Sequence, residues 1–180
     1  MAGIRFWPEM KALPNELLLR MDDHRQTVAV FTNVIFDTSQ VHANTLFPDM
    51  FAWLEVLRAE IERDPGTLFV IRAHPDEDRP GKASRETVVG WLEERGLTRR
   101  PNVAFFGPSD HVSSYDLIRR SKLVLVYNSS IGLEAAILGS PVLCAGRARY
   151  TQAPTVFFPA TREGYIGELR RLLGAERISV

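Results

Sequence analysis

Short runs of apolar, mostly β-branched residues alternate along the chain with longer stretches whose apolar positions recur at helical spacing. Thr27-Val-Ala-Val-Phe-Thr32 is the first such run and predicts a buried strand. Met50, Leu54, Leu57 and Ile61 then repeat at the spacing of a helix face, until Asp64-Pro65-Gly66 stops the pattern. Thr67-Leu-Phe-Val-Ile-Arg72 predicts the second strand, followed by a helix from near Ser84 that turns Val88, Trp91 and Leu92 inward and ends at Gly96. Asn102-Val-Ala-Phe-Phe106 predicts a third strand, and Ser113 with Asp116 three residues on has the form of a capping box for a short helix through Arg120. Lys122-Leu-Val-Leu-Val-Tyr127 predicts the fourth strand. Ser129 and Ser130 open the next helix, which Gly139 and Pro141 close. Pro141-Val-Leu-Cys-Ala145 reads as a fifth strand and Val156 to Phe158 as a short sixth; Thr161 then caps a last helix that Gly174 stops.

Strands that are apolar on both faces, alternating with helices, predict a parallel sheet covered on both sides. Right-handed crossovers leave few topologies, and the expected fold class is α/β: a three-layer, doubly wound Rossmann-like domain with a mostly parallel sheet of about six strands. This domain is expected over residues 27–180. Residues 1–26 are weakly periodic, contain Pro8 and Pro14, and are expected to be a lead-in or linker with one helical turn around Leu17.

Composition narrows the function classes. Twenty-two basic residues balance twenty-two acidic ones, and no Lys/Arg run exceeds a pair, so no nucleic-acid partner is expected. A single cysteine, Cys144, excludes an internal disulfide and suits a reducing, cytoplasmic setting. No stretch approaches the ~20 apolar residues of a membrane span, and the N-terminus lacks the form of a signal peptide. Dinucleotide and P-loop glycine signatures are absent from the sequence. His24, His42, His74 and His111 fall at no metal-ligand spacing, so neither a metal nor another cofactor is expected. Cys144 sits in an apolar run and reads as core, as do Trp53 and Trp91 on their helical faces.

Ligands of open parallel sheets bind outside the carboxyl ends of the strands. That rule selects the loops at 33–37, 72–82, 107–113 and 128–132. In Tyr127-Asn128-Ser129-Ser130-Ile131-Gly132-Leu133-Glu134-Ala135 a strand ends, two hydroxyls follow and a helix begins. Its amide groups and partial positive charge suit a phosphate, with Gly132 admitting a ligand near the backbone. Ser130 alone reads as an ordinary helix cap; the whole constellation with Asn128 and Ser129 points to phosphate binding. Glu134, one turn in, is placed either to accept the hydroxyls of a ribose or to be a solvated acid favoured by the helix dipole. Arg72-Ala73-His74-Pro75 follows the second strand, and Pro75 biases His74 to an extended conformation at the strand's end. There the imidazole can meet a phosphate or stabilise a departing one, so His74 is the candidate catalytic group. Asn33 and Asp37 either touch sugar hydroxyls or shape a turn; Asn33 leans to the first role and Asp37 to the second.

The ordered set Arg72-Ala-His-Pro75, Val112-Ser-Ser-Tyr-Asp-Leu-Ile118, Ser121 to Val126, Asn128-Ser-Ser-Ile-Gly-Leu-Glu-Ala135, Gly139-Ser-Pro-Val142 and Gly146 to Tyr150 resembles the C-terminal half of capsule polysaccharide biosynthesis glycosyltransferases, the group that includes Kdo transferases. Phe31-Thr-Asn-Val-Ile-Phe-Asp37 resembles the first loop of that half, and the resemblance covers roughly residues 27–150. It implies a GT-B architecture of two Rossmann-like domains, this one holding the nucleotide-sugar donor. His74, Pro75, Ser129 and Ser130 would lie at the donor phosphate, Glu134 at the ribose, and the base against residues 106–111. CMP-linked acidic sugars are the donors it implies first, with UDP sugars on the same architecture and no metal at the phosphate. The acceptor domain of such enzymes, which usually supplies the catalytic base, is not in this sequence. It would be supplied in cis or in trans, or the chain is a non-catalytic module that binds nucleotide or a partner. CDP-polyol phosphotransferases, which share Arg-x-His and paired serines, are the alternative within the same chemistry.

Overall fold

The computed structural model describes residues 10–34, 40–77 and 86–178. Five parallel strands form its sheet: β1 (Gln26–Phe31), β2 (Thr67–Arg72), β3 (Val103–Phe106), β4 (Leu123–Val126) and β5 (Val142–Cys144), in the order β3-β2-β1-β4-β5. Val156 to Phe158, expected as a sixth strand, makes one parallel bridge: Phe157 pairs with Leu143 and the chain then leaves the sheet.

The period-two alternation of a strand decides which side chain enters which layer. Val28, Val30, Phe69, Ile71, Leu123 and Leu125 meet one set of helices: α3 (Met50–Arg63), α4 (Val88–Glu94) and α7 (Arg162–Gly174). Ala29, Phe31, Val70, Val124 and Val126 meet the other: α1 (Asn15–Asp23), α5 (Ser114–Arg120) and α6 (Ile131–Ile137). The connections β1-α3-β2-α4-β3 run outward on one face, and β4-α6-β5 runs the other way on the opposite face. The direction of winding therefore reverses between β1 and β4, where such sheets open a crevice.

Local chemistry sets the helix ends, at Ser113 and Thr161 as the sequence suggested and at Asp49 besides. Asp49 caps α3 by accepting from the Ala52 amide at 2.7 Å, and Thr161 caps α7 through the Gly164 amide at 3.0 Å. Ser113 accepts from the Asp116 amide at 3.1 Å. The helix expected from Ser84 opens instead at Thr87, which accepts from Gly90; Ser84 lies outside the described residues. In place of a single turn around Leu17, the chain makes the nine-residue α1, with Leu13 and Leu17 buried against the sheet. The segment before it pairs with residues beyond β3: Lys11 donates to His111 at 2.7 Å and accepts from Ser113 at 2.9 Å. A four-residue α2 (Gln40–Ala43) lies between β1 and α3. Among the described residues no helix is long and apolar enough to cross a membrane.

Candidate functional site

Parallel register brings Phe31, Arg72, Phe106, Val126 and Cys144 level at one edge of the sheet, so the loops after these strands share one rim. A cleft of about 460 Å³ opens there. Arg72, His74, Pro75, Ser129, Ser130 and Glu134, all singled out in the sequence, line it together.

Arg72 ends β2 and is only 4 % exposed. Its side chain donates to Ser114 Oγ, and no described carboxylate lies within ion-pair distance. Burial pulls its pKa below the usual arginine value, opposed by the charge of Asp110, yet a guanidinium keeps its proton at any physiological pH. The floor of the cleft is thus a desolvated cation without a carboxylate of its own. Nearby, the Asp76 amide donates to His74 Nδ1 at 3.1 Å, which places the proton of a neutral imidazole on Nε2 and makes that atom a donor.

Ser130 stands at the N-cap of α6 but makes no side-chain cap hydrogen bond, and its backbone is already helical. Its hydroxyl is therefore left for the cleft. Because α6 has only seven residues, Arg72 supplies most of the local positive charge. On the opposite wall Tyr115 donates to Glu134 Oε2 at 2.5 Å, leaving Oε1 to accept from a ligand. The neighbouring carboxylate holds the Tyr115 phenol above its ordinary pKa.

Three candidates are placed differently. Asn33 is buried and pairs with Asn128: the Asn128 amide donates to Asn33 Oδ1 at 3.3 Å, and Asn33 Nδ2 donates back to Asn128 Oδ1. The pair ties the loops after β1 and β4 together across the point of reversal. Asn128 faces a neighbouring cleft. The space at Gly132 is filled by protein, since a Cβ there would lie 2.5 Å from Tyr150 Oη and 3.0 Å from Val126 Cγ2. Asp37 lies outside the described residues.

Sequence reasoning passed over the cleft residues Thr32, Ser113, Ser114 and Tyr115; none of residues 106–111, the loop expected to meet a base, lines the cleft, and the start of α5 stands there instead. The signal for the last three was Ser-Ser-Tyr, in a motif read as a helix start and as part of the family resemblance but not as a site; Thr32 was read as the end of a strand. Cys144 is buried against the Tyr150 hydroxyl, and burial pushes its thiol up to about 12, in keeping with core and not with a nucleophile. Among the described residues no group of acids, histidines and cysteines is arranged to hold a metal.

A parallel β3-β2-β1-β4-β5 sheet with its cleft at the winding reversal defines a Rossmann-like α/β domain. A family model described as capsule polysaccharide biosynthesis protein matches residues 15–153, and the chain belongs to that family. It is 28% identical over 102 residues to the protein FixF of Sinorhizobium fredii, covering 57% of this chain and 22% of that one. Among solved structures it is similar to Thermosulfurimonas dismutans KpsC, a beta Kdo 2,4 transferase: TM-score 0.58, 18% identity, 96% of this chain and 46% of that one. It is also similar to S. aureus MnaA solved with UDP: TM-score 0.62, 15% identity, 91% of this chain and 41% of that one. The chain thus spans less than half the length of these relatives, and the structural likenesses establish the fold.

Proposed function

We propose that this chain is the donor-binding domain of a glycosyltransferase of surface polysaccharide biosynthesis, taking a nucleotide-activated sugar with CMP-linked donors favoured. One observation carries the reading: the buried Arg72, without a carboxylate partner among the described residues, faces a cleft that also gathers the polar side chains of His74, Ser129 and Ser130, with Glu134 and Tyr115 on its wall. A desolvated guanidinium with hydroxyl donors around it is matched by a phosphate, which accepts several charge-assisted hydrogen bonds at once.

In this reading the phosphate lies between Arg72 and the two serines. The His74 Nε2 proton faces the oxygen on which charge develops as the glycosidic bond breaks. Glu134, its Oε2 held by Tyr115, receives ribose hydroxyls at Oε1. No metal is required, because Arg72 and the serine loop meet the negative charge. The family and the similarity in fold to KpsC support a sugar donor, and the resemblance of the motifs supports cytidine. The acceptor and the base that activates it are supplied by a partner domain, in cis or in trans.

Calorimetric titration with CMP, CDP, UDP and GDP, without metal, tests the proposal. Saturable binding of one nucleotide is expected, with its loss in the Ser129→Ala/Ser130→Ala variant while the far-UV circular dichroism is unchanged. Equal affinity in the variant contradicts the phosphate assignment.

A further inference from the structure

A second cleft, of about 520 Å³, meets the first at Ser130, which belongs to both walls. His42 of α2, Asn128 after β4, and Arg147, Arg149 and Tyr150 after β5 build it, and among the described residues no aspartate or glutamate lines it. Arg147 and Arg149 make no side-chain hydrogen bond or ion pair with any described residue. Arg58, Arg95 and Arg171, by contrast, are each spent on an acid: Arg58 on Glu55 and Glu62, Arg95 on Glu55, Arg171 on Glu168.

The segment that carries the two arginines is pinned along its length. Gly146 donates to the Tyr127 carbonyl at 2.7 Å and Arg147 to the Ala43 carbonyl at 2.9 Å. Tyr150 donates to the Ser129 carbonyl at 2.5 Å, and Thr151 bonds both polar groups of the Ala148 backbone. The Asn33–Asn128 pair also has a defined sense. The Asn128 backbone donor fixes the orientation of the Asn33 amide, whose NH2 then occupies Asn128 Oδ1. What Asn128 presents to the second cleft is accordingly its NH2 donor.

We propose that this cleft is an oxyanion subsite, in which the Arg147 and Arg149 guanidiniums and the Asn128 amide bind a carboxylate or phosphate. Donors without acceptors among the described residues, on a pinned backbone, in a concavity whose described lining holds no acid, suit one class of group: a planar or tetrahedral oxyanion. Its position beyond Ser130 makes it either a group carried by the donor past the nucleotide phosphate or part of a separate acceptor. That placement rests on the function proposed above; the oxyanion chemistry does not.

The test is an NMR titration of the whole 15N-labelled chain with inorganic phosphate and with glucuronate, at constant ionic strength in chloride. The Nε–H signals of Arg147 and Arg149 are expected to shift saturably. In the Arg147→Gln/Arg149→Gln variant the Asn128 side-chain amide is expected to lose its response, or to saturate only about tenfold higher in probe. Shifts confined to Arg72 and the serine loop, or a linear response shared with chloride, overturn the subsite. A chain that binds phosphate at Arg147 and Arg149 but no nucleotide at all keeps the subsite and removes the function proposed above. The source of the oxyanion is read by comparing UDP-glucose with UDP-glucuronate, and by adding glucuronate to chain saturated with UDP. A carboxylate-dependent gain lost in the double variant assigns the group to the donor; a glucuronate response beside bound UDP assigns it to a second molecule.

Discussion

Arg72 is where the physical argument is sharpest. A buried charge with one hydroxyl partner contributes little to stability and is costly to desolvate, a cost that the proposed phosphate would offset. Arg72→Met, similar in volume and apolar, is expected to leave the melting temperature unchanged or higher. It should also weaken nucleotide binding by about 10- to 100-fold, the range of a hydrogen bond to a charged group. Thermal melts and calorimetry on the same sample check both; a fall of several degrees with binding retained would make Arg72 structural. At this scale the sequence was readable where a polar group interrupts an apolar run. Arg72 ends a strand and the serines stand in the loop after one, and position alone places them on the rim. Tyr115 and Tyr150 were not readable, because their partners, Glu134 and Ser129, stand 19 and 21 residues away and only the folded chain brings them near.

Among the elements, the loop between β4 and α6 depends on a contact made from beyond β5. The Ser129 carbonyl accepts from Tyr150 Oη at 2.5 Å and from the Gly132 amide at 3.1 Å, and the tyrosine ring lies over Gly132. Gly132→Ala would put a methyl into that hydroxyl and is expected to cost about 1–3 kcal/mol in urea denaturation. Tyr150→Phe removes the nearest atom and leaves Val126 Cγ2 at 3.0 Å and the ring Cζ at 3.2 Å, so the double variant should recover part of that loss. Strict additivity of the two changes would show that this contact does not set the loop. The strands, α3, α5 and α7 were legible from periodicity and caps because each is a local pattern. The sixth strand failed because only Phe157 reaches β5, and α1 was underread because Pro14 and a polar end masked a helix anchored by Leu13 and Leu17.

For the molecule as a whole, the packing that buries the sheet also buries several weak acids. Desolvation raises the pKa of Cys144 to about 12 and raises those of Tyr127, Tyr150 and Tyr165 beyond their ordinary values. Above pH ~9 the unfolded chain releases protons that the folded chain retains, so the folded state is the more protonated. The stabilisation is therefore complete below pH ~9 and is lost as the pH climbs toward the raised native values. Melting temperatures measured from pH 7 to 11 should be level at first and fall above pH ~9; a rise across that range would contradict the burial of these groups. The winding reversal between β1 and β4 was foreseeable as a class from alternating strands and helices. The strand order, and with it the meeting of the loops after β1, β2 and β4, required the structure.

The central claim is that the rim of this sheet binds the phosphate of a nucleotide donor. Its most direct test is an amide NMR titration of the whole chain with the nucleotide that binds most tightly. The account predicts saturable shifts concentrated at Arg72 to His74, Ser113 to Tyr115 and Ser129 to Glu134. Shifts centred instead on the cavity at the opposite end of the strands, around Gln26, Lys122 and Leu173, or spread without saturation, would contradict it.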